Sequence, residues 1–340
     1  MSQFIWTLCT VQFTILCVTL YLHRGQAHRG VEFHFLVSHV MRAWLWLSTG
    51  INTKEWTAIH RKHHAKCETE EDPHSPHHKG IWNVLFKGYL LYRQEALNSQ
   101  TMQRYGHGTP NDWIERNIYS RYSFLGLAFF LVINCALFGW WGLLSWAIQI
   151  AWIPFWAAGV VNGLAHWWGY RNYECPDKST NLWPLAIWIG GEELHNNHHG
   201  FAASAKFSQR PWEIDIGWGV IVVLNRLGLA TVKHRAPKIK LQEKEACDHE
   251  TLNAVIAYRY AVLKRYSKKV MTDHFSLTRE QQATIEQMKH RLELIWTTTR
   301  KNAEELLLDL QQWCQDAKNS GIKALSDFAN YVTKMHLHLA

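Results

Sequence analysis

Forty-four consecutive residues, Tyr122 to Ala165, contain no Asp, Glu, Lys or Arg. A helical crossing of a bilayer's hydrocarbon core, roughly 30 Å thick, needs about 20 residues at ~1.5 Å each, so this run is two crossings long. Gly139-Trp140-Trp141-Gly142 near its middle suits a turn at the far interface, and Pro154 a kink in the returning helix. The run therefore reads as a helical hairpin with limbs at about 123–142 and 144–165. Phe4 to Leu22, nineteen residues without a charge, reads as one further span. Met1-Ser2-Gln3 supplies no basic region of the kind that opens a signal peptide.

A third apolar segment, Phe35 to Ile51, is shorter and contains His39 and Arg42. If it crossed the membrane, the histidine clusters before and after it would face opposite sides. It is therefore expected to lie in the interface. The first span and the hairpin then deliver every cluster to one side, together with Arg24, Arg29, Arg61, Lys62 and Lys66; by the positive-inside rule that side is cytoplasmic. The expected fold is an all-α integral membrane protein with about three transmembrane helices, capped by a cytoplasmic helical domain.

The net charge of +8 comes in short clusters beside apolar runs rather than along one polar face, which argues for a membrane surface and against nucleic acid. Nineteen tryptophans fit membrane interfaces. The seven cysteines are scattered without a CxxC pair and read as reduced, structural thiols.

Four places concentrate the chemistry: His23-Arg-Gly-Gln-Ala-His28, His60-Arg-Lys-His63-His64, Asn162-Gly-Leu-Ala-His166 and His195-Asn-Asn-His198-His199. An HxxHH run on a helix projects three imidazoles from one face, and Asn162 and His166, four apart, also share a face. His23 and His28 are five apart, about 140° around a regular α-helix, so the helix is expected to bend or end between them, at Gly25. Imidazole suits iron, zinc, copper or nickel and does not name the metal. Nine histidines exceed what one ion can use, so two metals are expected.

On these residues the sequence resembles the membrane fatty acid desaturases, in particular the acyl-CoA branch that includes the delta-9 stearoyl-CoA enzymes and their bacterial relatives. The resemblance runs from about Phe4 to about Lys240. Besides the boxes it rests on Glu55-Trp56, Asp72-Pro73-His74, Gly169-Tyr170-Arg171, Gly191-Glu192, Trp212 and Gly228-Leu229-Ala230. It implies a desaturase domain over 1–240 in which His23, His28, His60, His63, His64, His166, His195, His198 and His199 hold two Fe2+ ions, with Asn162 completing the shell through a water. The implied reaction uses O2 and an outside electron donor (a ferredoxin, a cytochrome or an NAD(P)H reductase) to place a cis double bond, at delta-9, in a long-chain acyl-CoA. A phospholipid-bound acyl chain and membrane hydroxylation are the alternatives. Trp56, one turn before His60, is placed to line the substrate tunnel. Asp72, Glu192, Glu193 and Asp177, close to the boxes in sequence, are candidates to hold the second ring nitrogens.

The chain departs from the animal pattern in two places. Only about twenty residues precede His23, so one of the animal helices is missing or comes from another chain, and Ala58-Ile59 stand where those enzymes have an Arg-Asp pair, so contacts to CoA are expected to differ. A metal transporter would place ligands along its spans, whereas the hairpin before Asn162 has no histidine.

Beyond Leu241 tryptophans thin and charges rise. Thr278 and Gln281 form a capping box for a helix through Ile285, Met288, Leu292 and Ile295. Leu306, Leu307, Leu310, Trp313 and Cys314 give a second apolar face, Asn319-Ser320-Gly321 stops it, and Leu325, Phe328 and Val332 begin a third. Residues 241–340 are thus expected to be a cytoplasmic amphipathic helical extension.

Overall fold

The computed structural model describes residues 1–271 and 277–338 and is mostly helical. It divides into two compact units, one made of Met1–Arg171 with Cys175–Ala236, the other of Asn172–Glu174 with the chain from Pro237 onward.

In the first unit α1 (Ser2–Cys17) runs on through the wider turns of Val18–Ala27 as one helix of 26 residues, long and apolar enough to cross a membrane. The wider turns correct the expectation of a bend at Gly25. The helix changes from i→i+4 to i→i+5 bonding, as in the His28 N–H bond to the His23 carbonyl. A five-residue step in a π-helix returns to the same side, and the two rings meet with centroids 4.9 Å apart.

β1 (Val31–Phe33) leads to α2 (Phe35–Thr49), which ends at Gly50 with φ 65°. α2 meets α1 where Trp44 Nε1 donates to Thr14 Oγ1, and meets the hairpin where Trp44 packs edge-on against Phe130. Asn52 caps α3 (Thr53–Lys66) by accepting from the Lys54 and Glu55 amides, which fixes where the second histidine box begins its turns. α4 (Pro76–Lys79), α5 (Ile81–Ala96) and α6 (Ser99–Tyr105) follow.

The hairpin consists of α7 (Leu125–Phe138) and α8 (Trp141–Ile153), joined at Gly139, whose φ of 58° favours glycine. Pro154 does not stop the returning limb. Lacking an amide hydrogen, it opens π-type turns over Pro154–Val161, so the helix runs unbroken from Trp141 to His166, again 26 residues. The outgoing limb has only 14 residues of α-helix, about 21 Å at ~1.5 Å each. Among the described residues two helices, not three, have full crossing length.

β2 (Leu185–Ala186), α9 (His195–Gly200), β3 (Ile214–Asp215), α10 (Ile216–Arg226) and β4 (Ala230–Val232) complete the unit. β1 pairs antiparallel with β4, and β2 parallel with β3, so the fold is not purely helical. These two-stranded pairs hold the segments around the first and last boxes in place.

Several cations counted toward a cytoplasmic face hold the fold instead. Arg24 is fully buried over the Phe207 ring and donates to both oxygens of Asp215 (2.9 and 3.1 Å) and to the Gly190 and Ala205 carbonyls. Arg61 donates to the carbonyls of Gln26, Ala27, Tyr105 and His107, and Lys62 pairs with Glu95 at 2.8 Å.

The second unit pairs β5 (Lys238–Leu241) antiparallel with β6 (Met335–His338) and contains α11 (His249–Ala257), α12 (Arg259–Lys269), α13 (Arg279–Thr297), α14 (Ala303–Asn319) and α15 (Lys323–Thr333). The Thr278–Gln281 capping box forms, and α13 buries Ile285, Met288, Leu292 and Ile295. α14 opens on a second capping box, Asn302 with Glu305, and its Trp313 donates to the Met288 carbonyl while packing against Phe328. α11, α12 and the strand pair were not visible in the apolar periodicity.

Candidate metal centre

α3 presents His60, His63 and His64 toward α9, which presents His195, His198 and His199; the end of the first long helix adds His23 and His28, and the end of the hairpin adds His166. All nine rings from the four boxes converge inside the first unit. They sort into two groups. One brings the ring nitrogens of His23, His28, His60, His64 and His198 within 4.8 Å of one another. The other centres on His63, His166 and His199, with His195 Nε2 at 3.0 Å from His166 Nε2 and 3.2 Å from His199 Nε2. Each HxxHH box contributes to both groups, because its first and last members and its middle one lean to different sides of a shared face.

The second ring nitrogens are held by carboxylates. His23 Nδ1 lies 2.7 Å from Glu192, His63 Nδ1 3.0 Å from Asp72, and His199 Nδ1 3.0 Å from Asp177. His166 Nδ1 lies 2.9 Å from Glu68. Of the four carboxylates expected near the rings, three sit there. Glu193 instead accepts the Ile189 and Gly191 amides and shapes the loop before α9; burial pushes its pKa up to about 7 against those hydrogen bonds. Glu68 was missed: it stands in the same acidic run as Asp72, four residues after His64, and its φ is left-handed at 60°. The Nδ1 atoms of His195 and His198 are buried with no hydrogen-bond partner among the described residues.

This pattern has a chemical consequence. A ring that donates Nδ1–H to a carboxylate presents its Nε2 lone pair, and in this centre such lone pairs point at the Nε2 of a neighbouring ring at close range, as from His23 toward His198 (3.0 Å) and from His166 toward His195 (3.0 Å). Burial, followed by the neighbouring rings, also pushes His28, His60, His64, His195 and His198 well below the usual histidine range, so these rings are neutral. His63 is the exception: burial pulls it down, but Asp72 more than offsets this and raises it. Burial opposes the ionisation of Asp72 and Asp177, yet His63 and His199 respectively hold both below the usual carboxylate range. Converging neutral imidazoles backed by charged carboxylates are a donor set that fits a pair of metal cations. Cys67 and His74 also approach: Cys67 Sγ is 3.8 Å from His63 Nε2 one turn along from it, and the His74 ring lies tilted against His63 with centroids 4.3 Å apart.

Beside the rings lies a cavity of about 470 Å³, within the roughly 300–1,000 Å³ common for sites that bury a small ligand. His23, His60, His74 and His195 form its polar end. Asn162 and Trp56 both line it, and Trp56 is stacked on His60 at 4.9 Å. Glu192, Thr49, Tyr89 and Tyr92 also line it, and most of the remainder is apolar, including Ile51, Ile59, Leu127, Ile150, Ile153 and Val161.

Comparison with known proteins agrees with this chemistry. Residues 2–213 match the family described as fatty acid desaturase. The sn-1 stearoyl-lipid 9-desaturase of Anabaena variabilis is 29% identical over 252 residues, 72% of this chain and 88% of the relative. The Delta-9 acyl-lipid desaturase 2 of Arabidopsis thaliana is 31% identical over 238 residues, 67% of this chain and 75% of the relative. The icosanoyl-CoA 5-desaturase of Limnanthes douglasii is 31% identical over 240 residues, 68% of this chain and 65% of the relative. The relatives named for lipid-linked chains stand beside one named for a CoA-linked chain, so the similarity does not single out the acyl-CoA branch. With more than half of its length matched, the protein belongs to the fatty acid desaturase family and is an oxidoreductase.

Proposed function

We propose that the protein is an integral membrane, O2-dependent desaturase that places a cis double bond, at the delta-9 position, in a long saturated acyl chain. The observation that supports this most is the contact between a largely apolar cavity of about 470 Å³ and two groups of inward-facing histidines.

In this reading His23, His28, His60, His64 and His198 hold one iron ion, and His63, His166, His195 and His199 hold the other, with Asn162 contributing through a water from the cavity wall. Two bound irons supply the redox chemistry, coupling reduction of O2 by two external electrons to removal of two hydrogens from adjacent methylenes, with two waters formed. The chain's own residues do the rest. Glu192, Asp72, Asp177 and Glu68 fix four rings in the tautomer that leaves Nε2 free. Trp56 and the apolar wall exclude water and set which methylenes reach the polar end, a positioning effect that accounts for regioselectivity. Electrons come from a separate ferredoxin, cytochrome or reductase. The first long helix and both limbs of the hairpin cross the membrane, α2 lies in its interface, and the histidine side faces the cytoplasm. Residues 1–240 form the desaturase domain, and 241–340 a cytoplasmic helical extension.

The test is gas chromatography with mass spectrometry of fatty acids from a desaturase-deficient host expressing the chain, beside a His198→Ala control. A new monoene absent from the control supports desaturation and locates the bond. Hydroxylated acids, or no new product from iron-loaded protein supplied with a competent donor, overturn it.

A further inference from the structure

We propose that His74 is a tenth working histidine of the centre, one that holds no metal: its Nε2–H donates to the small molecule, water at rest and O2 in turnover, that occupies the polar end of the cavity beside the second group of rings. The proposal rests on the two-iron desaturase reading and adds a residue to it.

Within the run Asp72-Pro73-His74, one carboxylate serves two histidines. Asp72 holds His63 Nδ1 at 3.0 Å, and it also accepts the His74 amide at 3.1 Å and the Glu68 amide at 2.9 Å. The backbone at His74 is thereby pinned to the group that orients a metal-facing ring. The His74 side chain is 6% exposed, lies against the His63 ring, and lines the cavity together with Asn162 and His195.

Its hydrogen bonding sets it apart from its neighbours. The two other histidines of this segment spend Nε2 on the backbone: His77 donates to the His166 carbonyl and His78 to the Glu68 carbonyl, both at 2.9 Å. His74 Nε2 is buried with no partner among the described residues. His195 and His198 each leave a buried nitrogen unpartnered too, but it is Nδ1; their Nε2 atoms point into the cluster, 3.0 Å from His166 and 2.9 Å from His64. A buried donor left unmet is costly, so one on a cavity wall calls for a partner inside the cavity.

The chemistry there needs a donor. His63, His166 and His199, whose Nδ1 atoms face carboxylates, turn lone pairs the other way, which suits cations but not an oxygen atom gathering negative charge as it is reduced. A preorganised N–H stabilises such an atom. His74 offers one where the second group of rings meets the cavity.

The test uses full-length, iron-loaded, oxidised protein in detergent, titrated with azide, a small anion that reports on the oxygen position through its charge-transfer absorption. The amide nitrogen of glutamine reaches the place of a histidine Nε2, and that of asparagine only the place of Nδ1. His74→Asn should therefore weaken azide at least tenfold and His74→Gln less than threefold, both with two irons retained. Under turnover His74→Asn should form fewer double bonds per O2 consumed, with the remaining O2 leaving as hydrogen peroxide. Wild-type azide affinity in both variants, or equal loss in both at full iron, overturns the donor role and leaves the desaturase reading standing, as does a wild type that holds two irons and binds no azide. Loss of an iron in both variants makes His74 a ligand and overturns the proposal likewise. A wild type that binds no iron overturns the two-iron reading and the proposal with it.

Discussion

The two units of this chain differ in what they bury. The first adds to an apolar core that includes Ile15, Leu20, Leu22 and Leu45 the buried ionisable groups Arg24, Asp72, Glu192, Asp215, His23, His60, His63, His166, His195 and His198, and it exposes Phe129, Val132, Leu137, Trp140 and Leu144. The second buries Ile285, Leu292, Leu310, Trp313 and Phe328 and keeps most of its charges outside. A helix in lipid gains nothing by hiding leucine, so its interior can be given to polar chemistry, while a helix in water must hide it. The difference teaches that polarity of the interior, rather than helicity, separates the histidine-rich unit from the other.

That contrast can be broken. Truncating one member of the buried Arg24–Asp215 pair, as in Asp215→Ala, should cost about 3–5 kcal/mol because an uncompensated charge remains inside. Thermal unfolding of the detergent-solubilised protein reads it, and a loss under about 1 kcal/mol would mean that the first unit is held by its apolar contacts after all. The matching change in the second unit, Trp313→Ala, should cost about 3–5 kcal/mol through a cavity. Hydrogen exchange of peptides from α13–α15 should speed up, with iron content unchanged; lost iron would contradict the division of labour.

Glu68→Gln should weaken metal binding about 10–100-fold, since the His166 ring loses its charged partner, and chelator titration measures it. The smallest effect belongs to Asp248, the cap of α11. Burial acts to raise its pKa, but Lys244 and the Thr251 amide hold it down at about 2. Its contribution is therefore complete above the unfolded carboxylate range near ~3.9 and fades as pH falls through about 2. Asp248→Ala should cost about 1 kcal/mol at neutral pH, and the gap to the wild type should close as the pH is lowered toward 2.

How much of this was legible in sequence follows the range of the interaction. The α13 capping box and the HxxHH faces are set within one or two turns of helix, and both appear in the structure as read. The partnerships of His23 with Glu192, Arg24 with Asp215 and His166 with Glu68 join residues 169, 191 and 98 positions apart, and single-sequence spacing has no access to such distances. Glu192 was reachable because it adjoins a box; Glu68, four residues after His64, was as near as the chosen Asp72 and was passed over, and Arg24 was disguised as a juxtamembrane cation. The π-type turns at His23–His28 and after Pro154 were missed because a charge-free run says nothing about which carbonyl each amide chooses. The short α7 was missed for the same reason: an apolar run bounds a helix's length without fixing its ends.

The central claim is that nine histidines hold two irons. Metal analysis by plasma mass spectrometry on protein purified in detergent, normalised by amino-acid analysis and paired with His64→Ala and His199→Ala variants, tests it most directly. The account predicts two irons per chain, a loss in each variant, and less than one iron in the double variant. A single iron per chain in fully loaded protein, or another metal in iron's place, would contradict it.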